Sequence, residues 1–280
     1  MGIQIMTDST CDMDMDTYQA LGVEVVPLSV TFEDGTYQDG VTISKATFYE
    51  KQAVAKELPK TTQVNPQEFH GVFERALERG DEVVGIFVSA KLSGTYQSAI
   101  IAKDMLESDK IRVVDSAQAT VSLGILVREA VRLRDAGASA QEIVRQMDSL
   151  KLRVQFLCFV KTLKYFKMGG RISNATAIVG TMLGISPVVS MIDGELKPVD
   201  KVRGKEQILK YTMDCAARHP IDPRYPVAFS HTCCNELLAI YREKCIQALD
   251  IVNYFTDEVG AVVGTHAGPG CYGLAYIEQI

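Results

Sequence analysis

No apolar run in this chain reaches the roughly 18 residues that a membrane-crossing helix needs. The opening MGIQIMTDST runs straight into a strand pattern and carries no signal-peptide signature. A cytoplasmic protein without a membrane span is the expectation. Basic charge is also scarce: 29 Lys and Arg against 35 Asp and Glu leave a net charge of −6. A phosphate-backbone partner needs an excess of clustered cations, so nucleic acid is not the main partner. Neither a GxxxxGK(S/T) string nor a dinucleotide fingerprint occurs, and no nucleotide site is expected. The seven cysteines show no CxxC spacing and no paired histidine motif, which leaves neither a zinc site nor a disulfide framework. Asp12, Asp14 and Asp16 are spaced like the start of a calcium loop, but its glycine and closing glutamate are missing. They read instead as acids favouring the start of a helix over 17–21. The expectation is a protein with no metal and no cofactor.

What is present is enough apolar material for two cores. At 280 residues and 47% hydrophobic content, the chain is expected to form two α/β domains, 1–150 and 151–280. In the first, strand patterns near 3–6, 23–30, 83–88 and 111–114 alternate with helix patterns near 45–56, 66–79, 95–107 and 118–136, which predicts a mostly parallel sheet. A helix over 140–150 closes it. In the second, strands near 154–160, 227–231, 250–254 and 272–277 join helices over 205–218 and 235–248. A hairpin over 187–199 turns at Asp193-Gly194, a favoured type I′ pair, so the second sheet is expected to be mixed or antiparallel. Residues 174–185 read as a small apolar helix.

Three strands of the first half run into polar turns, at 5–12, 87–95 and 113–120. In an open α/β sheet such turns gather at the carboxyl ends of the strands, where ligands bind. Asp8, Ser9, Ser89, Ser93, Asp115 and Ser116 become neighbours by topology. The most informative turn is the one within VVGIFVSAKLSGTYQSA at 83–99, where a strand ends in small hydroxyl-bearing residues that open a helix. Unpaired N–H groups and the helix dipole let Ser93, Gly94 and Thr95 hold an anion there. Neutral donors suit a singly charged carboxylate better than a polyphosphate. A plain helix cap is the competing reading of Ser93.

The strings TDSTCD at 7–12, TTQVNP at 61–66, LSGTYQSA at 92–99, VVDS at 113–116, GGRIS at 169–173, PVV with KVRG between 187 and 204, and GTHAGPG at 264–270 occur in this order. Together they resemble the DegV family, fatty-acid-binding proteins that serve as binding subunits of bacterial fatty acid kinase. The resemblance implies a ligand site between the two domains. Thr61 or Thr62, together with Ser93 and Gly94, would hold the carboxylate of a long-chain fatty acid such as palmitate, with His266 nearby. The acyl tail would lie between the domains, and the catalytic subunit of the kinase would be the partner. Val64 and Asn65 depart from the family's usual string, although Thr62 keeps a hydroxyl. Burying about 15 methylenes is worth at most roughly 12 kcal/mol at about 0.8 kcal/mol each, before ordering and association costs. Tail burial would supply affinity, and the hydroxyls would keep the carboxylate from losing its hydration uncompensated.

His266 reads either as a donor to that carboxylate or as a structural histidine in a Gly-Pro turn. Arg171 and Arg203, each beside a glycine, read as contacts to the kinase or to a phosphate product, or as ordinary solvated arginines. A free-standing serine hydrolase, an esterase or thioesterase, is the alternative: Ser93 as nucleophile, His266 as base, Asp8 or Asp115 as orienting acid. No GxSxG elbow supports it.

Overall fold

The computed structural model describes residues 2–172 and 184–280, so the small apolar helix expected over 174–185 lies almost wholly outside the described residues. The strands are β1 (Ile3–Asp8), β2 (Val23–Val26), β3 (Ser29–Phe32), β4 (Gly35–Gln38), β5 (Lys60–Thr62), β6 (Glu82–Phe87), β7 (Ile111–Asp115), β8 (Val154–Phe159), β9 (Ile185–Ile192), β10 (Glu195–Arg203), β11 (Val227–His231), β12 (Tyr254–Glu258) and β13 (Tyr272–Ile277). The helices are α1 (Met15–Leu21), α2 (Lys45–Val54), α3 (Pro66–Glu78), α4 (Thr95–Leu106), α5 (Thr120–Asp135), α6 (Ala140–Leu150), α7 (Lys164–Met168), α8 (Gly204–Arg218), α9 (Asn235–Ala248) and α10 (Ala261–Ala267).

An α/β architecture results. The first sheet has the order β2-β1-β6-β7, all parallel, and the second runs β10-β9-β8-β13-β11-β12 with only β11 and β12 parallel. Helix boundaries follow local chemistry. Asn65 and Glu68 form a capping box around Pro66 at the start of α3, and Ser139 and Glu142 do the same for α6. Each helix turns one apolar stripe inward, Phe69, Val72, Phe73 and Ala76 on α3 and Ile143, Met147 and Leu150 on α6. Helix α5 differs, being buried nearly all round, from Val121 to Val131 except Arg128. It lies between the two sheets: Leu123, Ile125, Leu126 and Ala130 share one apolar cluster with Ile5, Val84 and Ile86 of the first sheet and Phe156, Ala228 and Ala275 of the second.

Three local expectations are corrected. The single strand expected over 23–30 is two strands, because Pro27 lacks the N–H needed to continue the ladder. Its second half, β3, leaves the parallel sheet and pairs with β4 and β5 in a small antiparallel sheet, β4-β3-β5, which no apolar run announces. The strand expected over 250–254 begins at Tyr254, since Asp250 takes a left-handed conformation (φ 51°) and the Ile251 N–H bonds back to Ile246. The β9–β10 hairpin turns at Asp193-Gly194 with positive φ at both (52° and 78°), the type I′ sign pattern.

Candidate functional site

The carboxyl ends of the parallel strands are knitted together by two acids, Asp8, which is buried, and Asp115, which is half-buried. Asp8 ends β1 with its side chain fully buried; Oδ2 accepts from the Val88 N–H (2.7 Å) and Oδ1 from the Thr10 N–H (2.9 Å) and hydroxyl (2.6 Å). Burial outweighs these bonds and raises its pKa to about 6. Asp115 Oδ1 accepts from the N–H groups of Ala90 (3.1 Å) and Ala117 (2.9 Å). The turn after β6 is thereby fixed, and with it the start of α4.

Ser93 lies in that turn. Its Oγ accepts from the Thr95 N–H (3.3 Å) and meets the Thr95 hydroxyl at 2.9 Å. Gly94 is the residue before α4, and a Cβ there would fall 2.1 Å from Gln63 Oε1; Gln63 is held by a bond from Nε2 to Ser98 Oγ (3.1 Å). A bare backbone at 94 therefore lets Gln63 close over the helix start. Thr61 reaches the same place from β5. It pairs with the fully buried Val30, so its side chain takes the inner face, while Thr62 alternates outward and is exposed.

His266 comes from α10, which the sequence read as a loop. Its Nε2 lies 2.9 Å from Thr61 Oγ1. Its Nδ1 is buried without a partner and faces Gly169, where a Cβ would sit 2.1 Å away. Burial, with Arg171 nearby, lowers the imidazole pKa to about 4, so the ring is neutral at pH 7. A buried N–H without an acceptor is rarer than a bare acceptor, so the hydrogen is assigned to Nε2. Nε2–H then donates to Thr61 Oγ1, which frees the Thr61 O–H to donate elsewhere.

These groups line a chamber of about 150 Å³ together with Thr10, Leu28, Leu92, Phe166, Arg171 and Leu196. A second chamber of about 50 Å³ shares Ala119, Phe166, Leu196 and Val263 with it and continues inward past Phe156, Met191, Val259 and Tyr272. The two form a cavity between the sheets, polar at one end and apolar at the other. Outside, a groove of about 640 Å³ shares Leu92, Arg171 and Leu196 and adds Lys91, Glu195 and Lys197.

Arg171 stands where the groove meets the chamber. Its guanidinium donates to the carbonyls of Leu92 (3.2 Å) and Gly169 (2.6 Å). Arg203 is not brought there: it ends β10, exposed, eight residues beyond Glu195, about 25 Å along the strand. No triad forms either. His266 faces Thr61, Ser93 faces Thr95, and Asp8 and Asp115 are occupied by backbone N–H groups. Among the described residues no group of three or more His, Cys, Asp or Glu could hold a metal ion. Phe166, Leu196 and Val263 were not singled out from sequence, since nothing local separates a cavity wall from core.

The chain is similar to known proteins over nearly its whole length. The family described as "Uncharacterised protein, DegV family" matches residues 2–279. A DegV domain-containing protein of Caldanaerobacter subterraneus is 37% identical, and one of Deinococcus radiodurans 35%; the match covers 99% and 98% of each chain respectively. Among solved structures, a fatty-acid-binding DegV family protein of Thermus thermophilus superposes with a TM-score of 0.89 at 32% identity over 100% of both chains. A stearic-acid-binding protein of Eubacterium ventriosum gives 0.89 at 28% identity, covering 99% of this chain and 98% of that one.

Proposed function

The chain belongs to the DegV family, and on that premise we propose that it binds a long-chain fatty acid and presents the carboxylate to a partner kinase. The observation that carries this reading is the two-ended cavity, with Thr61, Ser93 and His266 at its polar end and an apolar chamber leading away from them. The Thr61 hydroxyl, its oxygen already satisfied by His266, donates to one carboxylate oxygen. Ser93 serves the other, exchanging its contact with Thr95, and Arg171 supplies the nearby positive charge. A neutral His266 adds no second cation, so the head group is held by directed hydrogen bonds more than by bulk charge.

The tail supplies affinity through the apolar chamber. A cavity of about 150 Å³ accommodates a benzene-sized group, so a long chain passes the neck at Phe166 and Leu196 and displaces side chains there and at Met191. The outer groove brings Lys91, Arg171 and Lys197 beside the head group, where an ATP-dependent fatty acid kinase would form the acyl phosphate. This chain has no nucleotide string of its own. His266 is engaged by Thr61 and Ser93 by Thr95, with no hydrogen bond from Ser93 to the imidazole, which favours a carrier over the serine hydrolase.

Solvent extraction of the purified protein followed by mass spectrometry is expected to release fatty acid near one equivalent, with no fluorophosphonate label on Ser93. Thr61→Val is expected to weaken fatty acid binding about tenfold, the value of one hydrogen bond to a charged group. With a fatty acid kinase catalytic subunit and ATP, hydroxylamine should trap acyl hydroxamate. Absence of lipid and of binding would overturn the carrier reading; binding without hydroxamate would overturn the kinase assignment alone.

A further inference from the structure

Helix α10 belongs to the second half of the chain, yet it is seated in a socket built by the first. Two carboxylates take its opening N–H groups. Gly260 donates to Asp12 Oδ1 (2.9 Å), Ala261 to Asp39 Oδ1 (2.8 Å) and Val262 to Asp39 Oδ2 (3.2 Å). Tyr49 donates its hydroxyl to the Val259 carbonyl (2.9 Å), and Gln52 Nε2 donates to the Gly264 carbonyl (3.2 Å). The fit leaves no slack: a Cβ at Gly260 would lie 2.9 Å from Asp12 Oδ1, and one at Gly264 2.8 Å from both the Phe48 ring and the Tyr49 hydroxyl.

This is a costly way to hold a short helix. Asp12 and Asp39 are both buried, and burial together with their mutual repulsion raises the pKa of Asp12. Lys45 is close, but its ammonium donates to the Asp12 backbone carbonyl (2.8 Å) and to Asp14 (2.6 Å), not to either buried carboxylate. The positive charge of Lys45 acts on both at a distance, and the hydrogen bonds that reach across from the second half come from the backbone N–H groups that open α10. Both Asp39 oxygens accept, so the pair of bonds to successive N–H groups sets the direction in which α10 leaves the socket.

That direction places three cavity walls at once. Val262, Val263 and His266 lie on the helix, and in this orientation His266 Nε2 meets Thr61 Oγ1 at 2.9 Å. We infer that Asp39, seconded by Asp12, is a positioning residue for ligand binding: it aims α10 so that His266 orients the Thr61 hydroxyl toward the bound head group. The inference rests on the fatty-acid-binding reading for its ligand, not for its geometry.

The test uses the full chain with Asp39→Asn, which keeps the volume but turns an amide N–H₂ toward one of the two N–H donors. Three quantities are read: oleate affinity, the imidazole ¹⁵N resonances of His266 without ligand, and thermal stability. Asp222→Asn is the control. It disturbs a carboxylate buried against Arg153 (2.7 Å) and Arg224 (2.6 Å), a cluster that contributes no wall to the cavity. Asp39→Asn is expected to lose at least tenfold in affinity and to shift the His266 resonances, whereas the control loses stability alone. Unchanged affinity with unchanged His266 signals in Asp39→Asn would overturn the inference, as would an equal affinity loss in the control. Should Asp39→Asn fail to fold, Asp12→Asn, which alters one hydrogen bond, is read by the same criteria. Wild-type protein that binds no oleate would overturn the functional reading, while the His266 resonances would still decide the positioning role.

Discussion

Thr61 and Thr62 show how much one residue's direction matters. Both carry the same hydroxyl, but strand alternation sends only Thr61 to His266. Asp8 illustrates the same point electrostatically. Its pKa stands at about 6 against an ordinary 3.8 because burial opposes the charge, so the ionised side chain costs the folded state about 3 kcal/mol at pH 7. The folded protein therefore binds this proton more tightly than the unfolded chain. As pH falls from 7 through 6 toward 4, the contribution of Asp8 to stability rises, and below about 4 it is constant. Urea unfolding across this range is expected to show Asp8→Asn lacking that rise, seen as a difference between the two stability curves that changes by about 3 kcal/mol. Parallel curves for variant and wild type would contradict the assignment.

Among the elements, α5 has the most consequential position. A helix apolar nearly all round from Val121 to Val131 must be covered on most sides there, and here both sheets share in covering it. Leu123→Ala is expected to cost about 2–5 kcal/mol, because neither sheet can close the gap without disturbing the other. Denaturant unfolding measures this, and a loss below 1 kcal/mol would mean the site can collapse. Elements with strong local signals were legible in the sequence. The helices read near 66–79 and 140–150 and the Asp193-Gly194 turn lie where the sequence places them. Elements β4, β5 and α10 were not, because each is short and is formed by what it packs against, not by its own composition. Two of those three, β5 and α10, carry Thr61 and His266, so the motif strings marked the site while its supports stayed hidden.

At the scale of the whole molecule, the apolar cluster around α5 ties the halves together. Residues 1–150 end with α6, followed by a short turn over 151–153, and this is where two domains were expected to part. A fragment of residues 1–150 would leave uncovered the side of α5 that meets Phe156, Ala228 and Ala275. It is expected to bind the dye ANS and to give poorly dispersed NMR spectra, and a dispersed, cooperatively unfolding fragment would show the halves to be independent. The cavity lies along this junction, and so its volume depends on how the two sheets are set against α5.

Several properties of this protein follow from the order of residues alone. Apolar periodicity, caps and turn residues determined the alternation of strands and helices, and the ordered motifs determined the family, since both are written locally along the chain. Which threonine faces inward, which nitrogen of His266 carries hydrogen, and how Asp39 and Asp12 seat a helix more than two hundred residues away were decided only in three dimensions. Those choices depend on burial and on contacts between segments distant in sequence, and no local pattern encodes either.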